Sequence, residues 1–95
     1  MNNHNNLFIK ETFIQALKNH QNNNLVVAKN LYNKIIQIEP NNVGALNNLG
    51  LVFQSLGESQ EAISCYKKVI QIEPNNISAL NNLGLVFQSL GESQE

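Results

Sequence analysis

The chain has 95 residues and a formal net charge of -1, from six basic and seven acidic side chains. That length suits one small domain, and a near-neutral balance without a Lys/Arg cluster argues against a nucleic-acid arm or a polybasic membrane patch. No apolar run approaches the roughly 18–20 residues of a membrane span. The opening MNNHNNLFIKETF lacks the apolar centre of a secretory signal, and the lone cysteine, Cys65, rules out an internal disulfide, so a cytoplasmic protein is the expectation.

Met1 to Asn6 reads as a polar, disordered tail. Leu7 to about Asn19 reads as a helix, with Ile9, Phe13, Ala16 and Leu17 at helical spacing, and Gln21 to Asn24 as a turn. A second helix is predicted over Leu25 to Ile38, its stripe made of Ala28, Leu31, Tyr32 and Ile35. Pro40 stops it, and Asn41 or Asn42 is placed to cap the next. The third helix, about Val43 to Ser55, carries Leu46, Leu49, Gly50 and Phe53 as a single stripe. Gly50 costs about 1 kcal/mol against Ala inside a helix, so its place in the stripe predicts a close approach by another helix. Gly57 suits the left-handed position that ends this helix. A fourth helix, with Ser59 as the expected cap, runs to about Ile72 with the stripe Ala62, Tyr66, Val69 and Ile70. Pro74 ends it, Asn75-Asn76 repeats the cap, and a fifth helix is predicted over Ile77 to Ser89.

The fifth helix copies the third because the sixteen residues Leu46 to Glu61, LNNLGLVFQSLGESQE, return unchanged as Leu80 to Glu95. The offset is 34 residues (80 minus 46), and Pro40 and Pro74 keep it, each inside QIEPNN. A fixed period of this size predicts stacked helical hairpins. The residues Leu46, Leu49-Gly50, Phe53, Ala62, Tyr66, Val69 and Pro74 resemble the tetratricopeptide repeat, a 34-residue helix–turn–helix unit. Leu80, Leu83-Gly84 and Phe87 match its first half, helix A; Ala28, Tyr32, Ile35 and Pro40 match its second, helix B. The first repeat's helix A departs, with Thr12, Gln15, Ala16 and Asn19 at the signature places, as suits a terminal capping repeat.

The resemblance implies an all-α solenoid of antiparallel helix pairs, about two and a half units in five helices. Its divisions are a disordered tail over 1–6, a worn capping repeat over 7–42, a complete repeat over 43–76, and helix A of an incomplete repeat over 77–95. The break inside a duplicated unit is expected to mark the N-terminal piece of a longer array. Long proteins with such arrays resemble glycosyltransferases or sulfotransferases whose repeats hold a substrate protein, so a docking arm of such an enzyme is one alternative.

Within the chain, no catalytic, cofactor or metal site is expected. His4 and His20 read as solvated tail and turn residues, and no Cys or carboxylate stands at zinc-ligand spacing with them. Cys65 has no base placed beside it by sequence, and Glu58, Glu61, Lys67, Lys68 and Glu73 read as a solvated face. LGLVFQSLG lacks the spacing of a phosphate-binding loop. The expected partner is a protein or peptide, with no nucleic acid and no membrane. On a helical wheel, Gly44, Asn47, Asn48, Leu51 and Ser55 lie away from the core stripe, as do Ser78, Asn81, Asn82, Leu85 and Ser89. The resemblance implies that this face lines a concave groove, where Asn amides donate to and accept from an extended peptide's backbone. Family members that grip a C-terminal carboxylate resemble one another in carrying Lys, Asn and Arg at positions held here by Phe13, Leu17, Asn48, Ser78 and Asn82. Only Asn48 fits, so a carboxylate clamp is not expected. Leu83, Phe87 and Leu90 form an expected sticky edge, through which the chain would pair with another copy.

Overall fold

The computed structural model describes residues 3–93, which form five helices: α1 (Asn3–Gln21), α2 (Leu25–Ile38), α3 (Val43–Ser55), α4 (Ser59–Ile72) and α5 (Ile77–Ser93). Each helix packs against the next in the chain, and α3 also reaches α5, which gives an α-solenoid of helix pairs. Asn42 caps α3 by accepting from the Ala45 amide at 2.9 Å, and Asn76 caps α5 by accepting from Ala79 at the same distance. These side chains satisfy amides that the first helical turn leaves without partners.

Gly57 has φ +77°, and the Glu58 amide reaches back to the Phe53 carbonyl at 2.8 Å while the Gly57 amide bonds Gln54. That is the left-handed glycine turn that closes a helix, and it lets α4 fold back along α3. Gly50 is buried because the Tyr66 ring of α4 crosses it: a Cβ there would lie 2.5 Å from Cε1 of the ring. The close approach predicted from the glycine is therefore the crossing of α3 and α4.

Four boundaries differ from expectation. α1 begins at Asn3, so Asn3 to Asn6 are helical and not a disordered tail; no Pro or Gly interrupts the backbone there, while Met1 and Asn2 lie outside the described residues. α1 also runs through Gln21, and the turn falls on Asn23, with φ 64°. The cap of α4 is Glu58, without a side-chain bond, and Ser59 is the first helical residue. α5 continues past Ser89 through Gly91, the twin of Gly57, and Gly57 is the only glycine with positive φ among the described residues.

The core divides into two clusters. Ile9, Ala16, Ala28, Tyr32, Ile35, Ala45, Leu49, Val52 and Cys65 form the first, and Leu46, Ala62, Ile63, Tyr66, Val69, Ala79 and Val86 the second. α3 supplies both. Ala45, Leu49 and Val52 face back toward α1 and α2, while Leu46 and Gly50 face α4. A solenoid helix lies between its predecessor and its successor, so it buries two stripes where a single-stripe wheel finds one.

Candidate functional site

The polar side of α3 is Gly44, Asn47, Asn48, Leu51 and Ser55; the same side of α5, one repeat on, is Ser78, Asn81, Asn82, Leu85 and Ser89. The corresponding α1 positions, 34 residues earlier, are Lys10, Phe13, Ile14, Leu17 and Gln21. Phe13 joins α1 to α3. Its ring meets Tyr32 edge-on at 5.7 Å, and a Cβ on Gly44 would sit 3.4 Å from it. The first helix A thus contributes an apolar middle of Phe13, Ile14 and Leu17 between exposed Lys10 and Gln21, with Ile14 exposed and Leu17 half-buried.

Asn47 and Asn48 part company. Asn47 donates through Nδ2 to Asn76 Oδ1 at 3.3 Å, and its own Oδ1 is buried without a partner. Asn76 is already the cap of α5 and donates to Glu73 Oε1 at 2.9 Å. Asn47 is therefore engaged in the junction between repeats. Asn48 and Leu51 beside it are half-buried, and Ser55 is exposed. On α5, Asn82 is half-buried, and Asn81, Leu85 and Ser89 are exposed. These sides carry the amides Asn48 on α3 and Asn81 and Asn82 on α5, with Leu51 and Leu85 as their apolar points. No residue at these α3 and α5 positions is charged.

The expected edge sorts differently. Leu83 and Leu90 pack half-buried on the second core cluster, together with Ala79 and Val86. Phe87 is 50% exposed and lies instead with Leu80, 46% exposed, and Gly84, around which no atom lies within 4 Å of a Cβ position. The wheel missed this division because Leu83 and Phe87 are one turn apart on the same apolar arc.

Among the described residues no three His, Cys, Asp or Glu side chains form a metal-binding group, and no helix is long and apolar enough to cross a membrane. His4 and His20 both fall in α1, and His20 is half-buried in its last turn, not in a loop. Cys65 is 8% exposed, and burial, with the Glu61 carboxylate adding to it, pushes its thiol up to about 11. Burial likewise raises both core phenols, Tyr32 to about 12. The Tyr66 hydroxyl donates to the Gln54 side chain, whereas that of Tyr32 is buried without a partner.

At pH 8 the native protein is expected to leave Cys65 unalkylated by iodoacetamide over a period in which the urea-unfolded chain reacts fully, as read by intact mass. The raised thiol pKa favours the neutral folded form. Its contribution to stability is complete below the ordinary value of 9.0 and is lost as pH climbs through about 11.

A tetratricopeptide repeat family profile matches residues 43–76, and a second profile of the same family matches 65–95. Among solved structures, the first tetratricopeptide domain of Spaghetti (RPAP3), bound to the HSP90 peptide SRMEEVD, is 25% identical, with TM-score 0.81 over 84% of this chain and 64% of that one. MamA is 29% identical, with TM-score 0.84 over 87% of this chain and 48% of that one. The C-terminal repeat domain of a Plasmodium falciparum protein named for FK506 binding is 28% identical, with TM-score 0.84 over 95% of this chain and 60% of that one. The chain thus spans less than two thirds of each of these structures. No curated protein sequence gives a significant match.

Proposed function

The chain belongs to the tetratricopeptide repeat family, and from that premise we propose that its helix-A face binds a peptide or an extended segment of a partner protein. The supporting observation is the pairing of half-buried Asn48 and Asn82 with Leu51 and Leu85 on neighbouring helices. Each amide offers a donor and an acceptor to a passing backbone, and each leucine offers apolar area to a side chain. The similar domain of Spaghetti is solved with a peptide rich in acidic residues. Here the positions Phe13, Leu17, Asn48, Ser78 and Asn82 hold no cation to neutralise a carboxylate, and Lys10 on α1 is the one charged residue at the corresponding positions of the three helices. The ligand class that fits is a largely uncharged segment with aliphatic or aromatic side chains.

The test is a peptide-display selection on the purified chain, followed by calorimetry with the selected peptide. Changing Asn48 and Asn82 together to Ala removes two amide contacts of about 1 kcal/mol each and is expected to weaken binding roughly 10- to 30-fold. Unchanged affinity for the double variant rejects this face as the site. SRMEEVD is expected to bind more weakly than the selected peptide.

A further inference from the structure

Leu17, Leu51 and Leu85 stand 34 residues apart, at one place on α1, α3 and α5. Leu17 and Leu51 are half-buried and Leu85 is 56% exposed, so each keeps apolar surface within reach of a ligand. The two steps between these helices are made at the same place. The Phe13 ring of α1 lies 3.4 Å from a Cβ position on Gly44, at the start of α3. Asn47 of α3, the counterpart of Phe13, donates to Asn76 at the start of α5. The leucines therefore form a row that crosses the helices in even steps. Helices packed side by side lie about 8–10 Å apart, which sets the step of the row. A bound chain must present apolar side chains on one side at that step. An extended strand returns to one side every second residue, after about 6.7 Å, and then only after about 13 Å. A polyproline II helix returns every third residue, after about 9.3 Å. It has no internal hydrogen bonds, so its backbone is free to pair with the amides of Asn48 and Asn82. Charge narrows the ligand further. The α3 and α5 positions of this face are uncharged, and Lys10 on α1 matches a carboxylate at that end of the row alone.

We infer that the helix-A face takes a segment in the polyproline II conformation with an aliphatic residue at every third position. The segment is uncharged where it crosses α3 and α5 and carries a carboxylate beside Lys10. This inference rests on the reading of that face as the binding site, and adds to it the conformation and register of the ligand. Leu17, Leu51 and Leu85 each receive one aliphatic side chain, while Asn48 and Asn82 hold the backbone between them.

The experiment titrates the chain into fluorescent synthetic peptides of one composition, leucine and proline with a single glutamate, and follows anisotropy. One peptide has leucine at every third position, and its partner has leucine at alternate positions. Each is made with the glutamate at its N-terminal end and again at its C-terminal end. The every-third spacing is expected to saturate below about 1 mM and to bind at least about 10-fold tighter than the alternate spacing. Leu51→Ala and, separately, Leu85→Ala in the chain are each expected to weaken it at least about 5-fold. Leu85 is 56% exposed, so Leu85→Ala is expected to keep the thermal midpoint of the parent, which separates a lost contact from a damaged fold. Glutamate at one end is expected to bind about 2- to 5-fold tighter than at the other, and Lys10→Ala to remove the difference. Equal affinity for the two spacings, saturation by neither, or full affinity in both leucine variants overturns the proposal. If the spacings bind alike and Asn48→Ala with Asn82→Ala weakens both, the face stands as the site and the register alone is rejected. If that double variant binds like the parent, the site is rejected with it.

Discussion

Gly50→Ala lowers the stability of the protein by about 2 kcal/mol, and Gly84→Ala raises it by up to about 1 kcal/mol, although the two glycines sit in identical sixteen-residue strings. Both changes gain the same helix propensity, because glycine costs about 1 kcal/mol against alanine inside a helix. They differ in what the new methyl group meets. At Gly50 it would stand 2.5 Å from Cε1 and 2.7 Å from Cζ of the Tyr66 ring, and that ring is fully buried with its hydroxyl engaged by Gln54. The ring has no free end to swing aside, so α4 must move away from α3, at an overpacking cost of about 1–3 kcal/mol or somewhat more. At Gly84 nothing lies within 4 Å. Urea titration followed by circular dichroism reads both signs. Equal effects at the two sites would mean that the α3–α4 crossing is not as close as described.

Tyr66→Ala carries the largest expected loss, about 3–5 kcal/mol. The ring is completely buried in the second cluster, under Gly50 and among Leu46, Ala62 and Val69. Its removal leaves a cavity between α3 and α4 that two helices tied by a short glycine turn cannot readily collapse. A loss of that size is a large part of a small domain's total stability. Combined with Gly50→Ala, it gives a sharper test. Once the ring is gone the methyl group clashes with nothing and partly fills the hole. The double variant is therefore expected to be more stable than the sum of the single losses by about 2 kcal/mol or more. Strict additivity would separate the two residues in space, against the structure.

Much of this architecture was legible in the sequence because local signals and tertiary packing agree there. The end of α2 follows from Pro40 and the extent of α3 from the Asn42 cap and Gly57, each of which acts within a turn or two of the chain. Gly50 was legible for a different reason: a residue costly to its own helix implies a neighbour that needs the space. The ends of α1 and α5 were not legible. Nothing in the first residues forbids a helix, so α1 extends to Asn3. Gly91 has the same neighbours as Gly57 and yet stays helical. A glycine permits the left-handed turn, and a helix folding back on the core makes the turn worth forming; of these two helices, among the described residues, α3 is followed by such a helix. The candidate face was legible only as a stripe of positions on one side of a helix, whose members were not separable. The link from Asn47 to Asn76 depends on the angle between repeats, which no wheel of one helix contains. Likewise Leu83 and Phe87 divide between a covered and an open side only once α4 is in place.

The Asn47–Asn76 contact also bears on how stiff the array is. One amide of Asn76 caps α5, holds Glu73 and receives Asn47, so three segments meet at a single side chain. The Asn47 bond spans 3.3 Å and is worth about 1 kcal/mol at most, so thermal motion opens it in roughly one molecule in six. This yielding contact adds to the apolar packing that sets the angle between the second and third helix-A rods, where Ala79 and Val86 of α5 are buried with Leu46 and Tyr66. A bound segment that requires a tighter or flatter bend must therefore shift the packed side chains of α5 as well as break this bond.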